Sequence, residues 1–130
     1  MARPPKILVI DDDAQLLETA SQLLEQRGFE VVTHCDTFNR LNAVRMHRPD
    51  LILLDVNMPF VPGDEIVRLL QDDPELRTIP VLLFSSNDER ALRDAAKDCG
   101  AAGYISKSHM GGQFAAVVER RLRLLQASVR

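Results

Sequence analysis

Five residues of this 130-residue chain have the types and settings to do chemistry together: Asp11, Asp12, Asp55, Ser85 and Lys107. Asp11 and Asp12 follow the apolar run Ile7-Leu8-Val9-Ile10, and Asp55 ends Leu51-Ile52-Leu53-Leu54. Ser85 follows Pro80-Val81-Leu82-Leu83-Phe84, and Lys107 lies just past Gly103-Tyr104-Ile105-Ser106. Carboxylates crowded to about 4 Å repel by roughly 4 kcal/mol per pair at an effective dielectric near 20. Asp11, Asp12 and Asp55, once gathered, therefore call for a cation. An all-oxygen donor set completed by water and backbone oxygen suits Mg²⁺ rather than Zn²⁺. With that charge neutralised, an Asp carboxylate can attack phosphorus and become an aspartyl phosphate. A hydroxyl from Ser85 and an ammonium from Lys107 would then balance the phosphoryl oxygens.

The chemistry requires that these positions meet, so the elements that carry them decide the matter. The four apolar runs are short and bounded by turn residues, as strands buried on both faces are. Glu30-Val31-Val32-Thr33-His34 adds a further strand. Between the strands lie helical stripes. Leu16, Leu17, Ala20, Leu23 and Leu24 form the first, which stops at Gly28, with Asp13 as its N-cap rather than a third metal ligand. The second is expected from near Asp36 or Thr37, burying Phe38, Leu41, Val44 and Met46 and stopping before Pro49. Ile66, Val67, Leu69 and Leu70 mark a third over Asp64 to Gln71. Ala91, Leu92, Ala95, Ala96 and Cys99 mark a fourth, closed by Gly100. The fifth runs from about Met110 with Phe114, Val117, Val118, Leu122 and Leu125 inward. A β-α unit repeated five times predicts a doubly wound α/β fold, its parallel sheet covered by helices on both faces. All four strand ends then fall on the C-terminal edge, where open α/β sheets place their ligands.

Composition narrows the function classes. The net charge is −3, from 16 Lys+Arg against 19 Asp+Glu, which gives no general pull towards nucleic acid or anionic membrane. No apolar run approaches a membrane span, and Met-Ala-Arg-Pro-Pro-Lys lacks the apolar core of a signal peptide. Cys35 and Cys99 have no metal-binding spacing and read as thiols in a reducing compartment, so a cytoplasmic location is expected. His34, His47 and His109 lack converging partners and are expected at the surface. Arg120, Arg121, Arg123 and Arg130 give the last helix a solvated basic side. No linker or second domain is visible. The expectation is one domain over 1–130, with its core at about 5–126 and no output domain.

The sequence resembles the receiver domain of two-component response regulators, and in length the single-domain chemotaxis regulators of the CheY-like kind. The resemblance rests on Ile7 to Asp12, Pro49 to Asp55 with Met58-Pro59 and Gly63, Pro80-Val81 leading to Ser85, and Gly100-Ala101 leading to Tyr104 and Lys107. It implies a flavodoxin-like three-layer sandwich with sheet order 2-1-3-4-5. It also implies residue roles. Asp55 is the phosphoacceptor. Asp12, Asp55 and the backbone carbonyl of Asn57 ligate Mg²⁺, with Asp11 acting through a bound water. Lys107 pairs with the phosphoryl group or, before phosphorylation, with Asp55; Ser85 is the hydroxyl that moves towards the phosphoryl group, and Tyr104 is the aromatic that swings inward in response. Tyr104 can also be read as an ordinary half-buried strand aromatic. Asn57 and Asn87 occupy positions that tune phosphate lifetime, and two amides supply no carboxylate to activate water. The implied donor is a sensor histidine kinase or phosphotransfer protein, and the implied output is altered binding of an unidentified protein partner. That partner would meet the face around Asp88–Ala96 and Tyr104–Phe114, on a monomer or a phosphorylation-dependent homodimer.

One departure stands out: Ser108 follows Lys107 where the family usually has proline. The family's Lys-Pro bond is typically cis. A cis bond before a non-proline residue costs about 3 kcal/mol, so Lys107-Ser108 is expected to be trans. The change lends some weight to a second reading, a receiver-shaped protein-binding module that works without phosphorylation. A third reading, a haloacid-dehalogenase-like phosphatase, fits the apolar run before Asp11-Asp12-Asp13 but lacks that family's later acidic pair.

Overall fold

A computed structural model describes residues 3–36, 38–57, 63–86 and 88–128. Five strands, β1 (Lys6–Ile10), β2 (Glu30–His34), β3 (Leu51–Asp55), β4 (Val81–Ser85) and β5 (Gly103–Ser106), alternate with helices α1 (Ala14–Gln26), α2 (Arg40–His47), α3 (Gly63–Gln71), α4 (Glu89–Cys99) and α5 (Phe114–Ser128). The strands pair in parallel in the order β2-β1-β3-β4-β5. This is the doubly wound flavodoxin-like (βα)5 sandwich. Among the described residues no helix is long and apolar enough to cross a membrane.

The side-chain alternation of the central strands divides the core in two. Leu8, Ile10, Ile52, Leu54, Val81 and Leu83 point to the layer that holds Val44 of α2, Ile66, Val67 and Leu70 of α3, and Leu92, Ala96 and Cys99 of α4. Ile7, Val9, Leu51, Leu53, Leu82 and Phe84 point to the opposite layer, with Leu17, Ala20 and Leu24 of α1 and Phe114, Val118 and Leu122 of α5. Strands covered on both faces must be apolar at every position, which is why these runs show no polar alternation.

Local chemistry sets the helix ends. Asp13 caps α1, its Oδ1 accepting from the backbone N–H groups of Gln15 and Leu16. Gly28 takes φ +95° just past the other end, where an L side chain would be strained. Gly100 does the same for α4 at φ +82°. There the Gln71 amide donates to the Gly100 carbonyl at 2.7 Å, tying the end of α3 to the end of α4.

Two helices start later than the sequence suggests. α2 begins at Arg40, because Asn39 sits in the left-handed region at φ 63° and resets the chain. Its buried stripe is Arg40, Ala43 and Val44, whereas Phe38 and Met46 are 58% and 76% exposed. Thr37 lies outside the described residues. α5 begins at Phe114 rather than near Met110, after a 3-10 turn over Lys107–His109 and the pair Gly111-Gly112. Leu69, expected on the inner face of α3, is exposed, while Ile66, Val67 and Leu70 are buried. His34 and His47 lie at the surface, partly covered by their neighbours. The His34 Nε2 lies 2.9 Å from the Phe38 carbonyl oxygen.

Candidate functional site

The strand register brings the acids together. Ile10 lies opposite Leu54, so the next step along both strands sets Asp11 beside Asp55. Alternation then orients them. Ile10 and Leu54 face the α2–α4 layer, so Asp11 and Asp55 turn towards the α1/α5 layer, where Phe84 lies opposite Asp55. Both acids are buried. Asp12, in the turn that follows, is exposed, yet one carboxylate oxygen from each of Asp11, Asp12 and Asp55 falls within 4.8 Å of the others.

Lys107 enters the same space from β5. Its Nζ makes a close ion pair with Asp11 Oδ2 at 2.6 Å and reaches Asp55 Oδ1 at 3.5 Å. It also stands 5.5 Å from the centroid of the Phe84 ring, an apolar floor that limits water around the ammonium. Phe84 in turn packs on Phe114, with centroids 5.6 Å apart. The Lys107–Ser108 bond is trans, there being no cis peptide among the described residues. Ser108 has a local use that proline lacks: its backbone N–H donates to Ser106 Oγ at 3.2 Å, capping the 3-10 turn that carries Lys107. The two hydroxyls also lie 2.7 Å apart.

Asp55 is held by its own backbone as well. The Asn57 N–H donates to Asp55 Oδ1 at 3.0 Å. Burial pushes the Asp55 carboxyl above the ordinary carboxylate range; that hydrogen bond opposes the rise, Asp11 adds to it, Lys107 opposes it and Asp12 adds. A buried carboxylate whose negative neighbours raise its proton affinity is poised for a cation. The three acids carry three negative charges and Lys107 one positive, leaving a deficit that one divalent ion would balance. Hard oxygen donors alone make Mg²⁺ a suitable ion.

Ser85, on the α2–α4 side of its strand, is buried beyond Phe84, and the Asn57 side-chain amide donates to its Oγ at 2.9 Å. Tyr104 is not drawn into this group. It is half-buried, its hydroxyl donates to Glu89 Oε1 at 3.3 Å, and Arg93 Nε donates to that hydroxyl at 3.5 Å. The Arg121 guanidinium lies 6.0 Å from its ring centroid. Asn87, Met58 and Pro59 lie outside the described residues.

Three features escape a reading of the sequence. Phe84 as the floor for Lys107 follows only from register. The bond between Asn57 and Ser85 joins the turn after β3 to the end of β4, 28 residues apart. The third is Arg40, a charged side chain that is only 1% exposed. Its signal was present, since Arg40 shares helical spacing with Ala43 and Val44, which places a charge on an apolar stripe.

Comparison with known proteins agrees with this geometry. The family model described as response regulator receiver domain matches residues 7–119. The chain is 33% identical over 104 residues to the polar-differentiation response regulator DivK of Brucella anthropi, covering 80% of this chain and 85% of that one. It is 34% identical over 124 residues to protein RcaC of Microchaete diplosiphon, covering 95% of this chain but only 19% of RcaC. Among solved structures, chemotaxis response regulator CheY4 of Vibrio cholerae superposes with a TM-score of 0.81 at 26% identity, over 92% of this chain and 98% of that one. The signal receiver domain of a histidine kinase from Syntrophus aciditrophicus gives 0.80 at 28% identity, over 97% and 92%. The family match, the fold and the acid-lined strand edge agree: this chain belongs to the response regulator receiver domain family of two-component signalling.

Proposed function

We propose that the chain takes a phosphoryl group onto Asp55 from the phosphohistidine of a sensor histidine kinase or phosphotransfer protein, and that this changes its binding to a protein partner. The observation that carries the reading is the convergence of Asp11, Asp12 and Asp55 within 4.8 Å, with Lys107 in contact with two of them. In the transfer an Asp55 carboxylate oxygen attacks phosphorus, the P–N bond breaks as the P–O bond forms, and the imidazole leaves to take up a proton. Receiver domains bind Mg²⁺ at an acidic pocket. Here Asp12, Asp55 and the Asn57 backbone carbonyl would hold the ion, with Asp11 acting through water. Bound there, it would neutralise charge on the transferring group.

The chain's own residues do the rest. The Asn57 N–H fixes the orientation of Asp55, leaving its other oxygen to attack. Lys107 turns from the acids to the new phosphoryl oxygens, a charge-assisted contact. The Ser85 hydroxyl leaves Asn57 to donate to the phosphoryl group, vacating space beside it. Tyr104, held outside the site by Glu89 and Arg93, moves inward and alters the surface of α4, β5 and α5. Asn57 and Asn87, lacking carboxylates, give the phosphorylated state a long life. We place the protein in the cytoplasm; Cys35 and Cys99 form no disulfide, as a reducing compartment requires.

Calorimetric titration with beryllofluoride in the presence of Mg²⁺ tests this reading. Wild type is expected to bind it and Asp55→Asn is not. Partner affinity that stays the same with and without beryllofluoride would favour a phosphorylation-independent binding module.

A further inference from the structure

Lys107 carries its ammonium on a flexible four-carbon stem, so where that ammonium falls depends on how the backbone beneath it is set. That backbone is a single 3-10 turn over Lys107–His109, between the end of β5 and the start of α5. At its far end the turn is closed by the Met110 N–H, which donates to the Lys107 carbonyl at 3.0 Å, and Met110 packs on the α1/α5 core layer. Beyond it come Gly111 and Gly112, both exposed, where an added side chain would meet nothing within 4 Å. The near end is held by Ser106. This residue is only 7% exposed, and its Oγ accepts from the Ser108 backbone N–H at 3.2 Å and lies 2.7 Å from the Ser108 hydroxyl. One buried oxygen thus holds the residue after Lys107 at two points, its backbone and its side chain.

Ser106 is itself fixed by the sheet. It ends β5 in register with Ser85, the last residue of β4. Its hold on Ser108 therefore ties the Lys107 turn to the strand edge, alongside the hydroxyl proposed to move towards phosphate. A proline at position 108 would have no N–H for Ser106 to accept from, so the two serines work as a unit. We infer that Ser106 is a positioning residue of the Asp55 site: through Ser108 it holds the turn so that the Lys107 ammonium falls on Asp11 and Asp55, at 2.6 and 3.5 Å. The inference rests on the proposed role of Asp55. Ser106 adds no charge to the site and acts only through the aim of Lys107.

The test compares wild type, Ser106→Ala, Ser106→Thr and Ser108→Ala by calorimetry, first with Mg²⁺ alone and then with beryllofluoride at saturating Mg²⁺. Each serine variant is also titrated in the Lys107→Met background, and circular dichroism melts establish which variants are folded. With the hold lost, Lys107 spends less time on the acids and on the phosphoryl mimic. Ser106→Ala is therefore expected to bind Mg²⁺ about fivefold more tightly and beryllofluoride about fivefold more weakly, the weight of one net hydrogen bond. Ser106→Thr keeps the oxygen and is expected to stay near wild type. Ser108→Ala, at an exposed position, keeps the backbone bond and loses the hydroxyl pair. It is expected to shift both affinities in the same directions by about twofold, which gives an answer even if Ser106→Ala does not fold. In the Lys107→Met background all these shifts are expected to vanish, because no ammonium is left to aim. Shifts that persist without Lys107, two affinities that fall together, a Ser106→Thr variant that behaves like Ser106→Ala, or folded alanine variants that match wild type would overturn the inference. Should wild type itself fail to bind beryllofluoride, the proposed role of Asp55 falls, and the Mg²⁺ titration alone still decides whether Ser106 acts through Lys107.

Discussion

Lys107 Nζ lies 2.6 Å from Asp11 Oδ2, nearer than its 3.5 Å from Asp55 Oδ1. Before any phosphoryl group arrives, the lysine is therefore chiefly the counter-ion of the acid pair, and it competes with Mg²⁺ for Asp11. Removing it in Lys107→Met should tighten Mg²⁺ binding by about tenfold or more, given that a unit charge at about 4 Å is worth roughly 4 kcal/mol at a dielectric near 20. The same change should weaken beryllofluoride binding, because the phosphoryl mimic loses its ammonium. Calorimetry reads both. An unchanged Mg²⁺ affinity would show that the Asp11 contact is not competitive.

Ser85 is engaged by Asn57 at 2.9 Å, and turning its hydroxyl towards a phosphoryl group means giving that bond up. A hydrogen bond of this kind is worth about 1 kcal/mol net, or roughly fivefold in an equilibrium. Asn57→Ala, which keeps the backbone N–H on Asp55, is accordingly predicted to bind beryllofluoride a few-fold more tightly. Ser85→Ala should bind it more weakly. If Asn57→Ala weakens binding instead, the amide supports the phosphorylated state directly.

The Asp55 carboxyl is held above its ordinary range, first by burial. A carboxyl that keeps its proton more firmly when folded contributes stability fully present below the unfolded value, near 3.8, and lost as pH rises through the folded one. At neutral pH the ionised Asp55 thus destabilises the fold. Asp55→Asn should melt above wild type at pH 7, with the difference closing as the solution is taken down towards pH 4. Mg²⁺ should raise the wild-type melt more than that of the variant. A variant that melts lower at pH 7 would mean that the Asn57 hydrogen bond and Lys107 outweigh burial.

Two structural substitutions check the scaffold independently of chemistry. Asp13→Ala removes both cap bonds at the start of α1 and should cost about 1 kcal/mol. Phe114→Ala empties a fully buried site against Phe84, and a loss of about 3–5 kcal/mol is expected in denaturant titration. Because Phe84 is also the floor beneath Lys107, the second variant should disturb Mg²⁺ binding as well, whereas the first should not.

Much of the fold was legible because buried parallel strands carry no polar positions, so Leu51 to Leu54 could hardly be anything else. Asp11, Asp55 and Ser85 were legible for the same reason, each being the first polar residue after such a run, and Lys107 by its place just past the fifth strand. α2 is less legible because its apolar residues do not mark its inner face. Phe38 precedes a left-handed Asn39 that breaks the helical register, Met46 points outward, and the buried position belongs to Arg40. Charge is ordinarily a marker of the surface, so a buried guanidinium reads as its opposite. The bond between Asn57 and Ser85, and the Glu89 and Arg93 contacts of Tyr104, depend on which side of a strand each residue faces; spacing alone does not show this.

Every role proposed for the site depends on phosphorylation of Asp55. Incubation with acetyl phosphate and Mg²⁺, followed by intact-protein mass spectrometry, tests it most directly. Wild type is expected to gain one phosphoryl mass, a gain abolished by EDTA and absent from Asp55→Asn. Wild type that gains no mass, or an Asp55→Asn variant that gains as much, would contradict it.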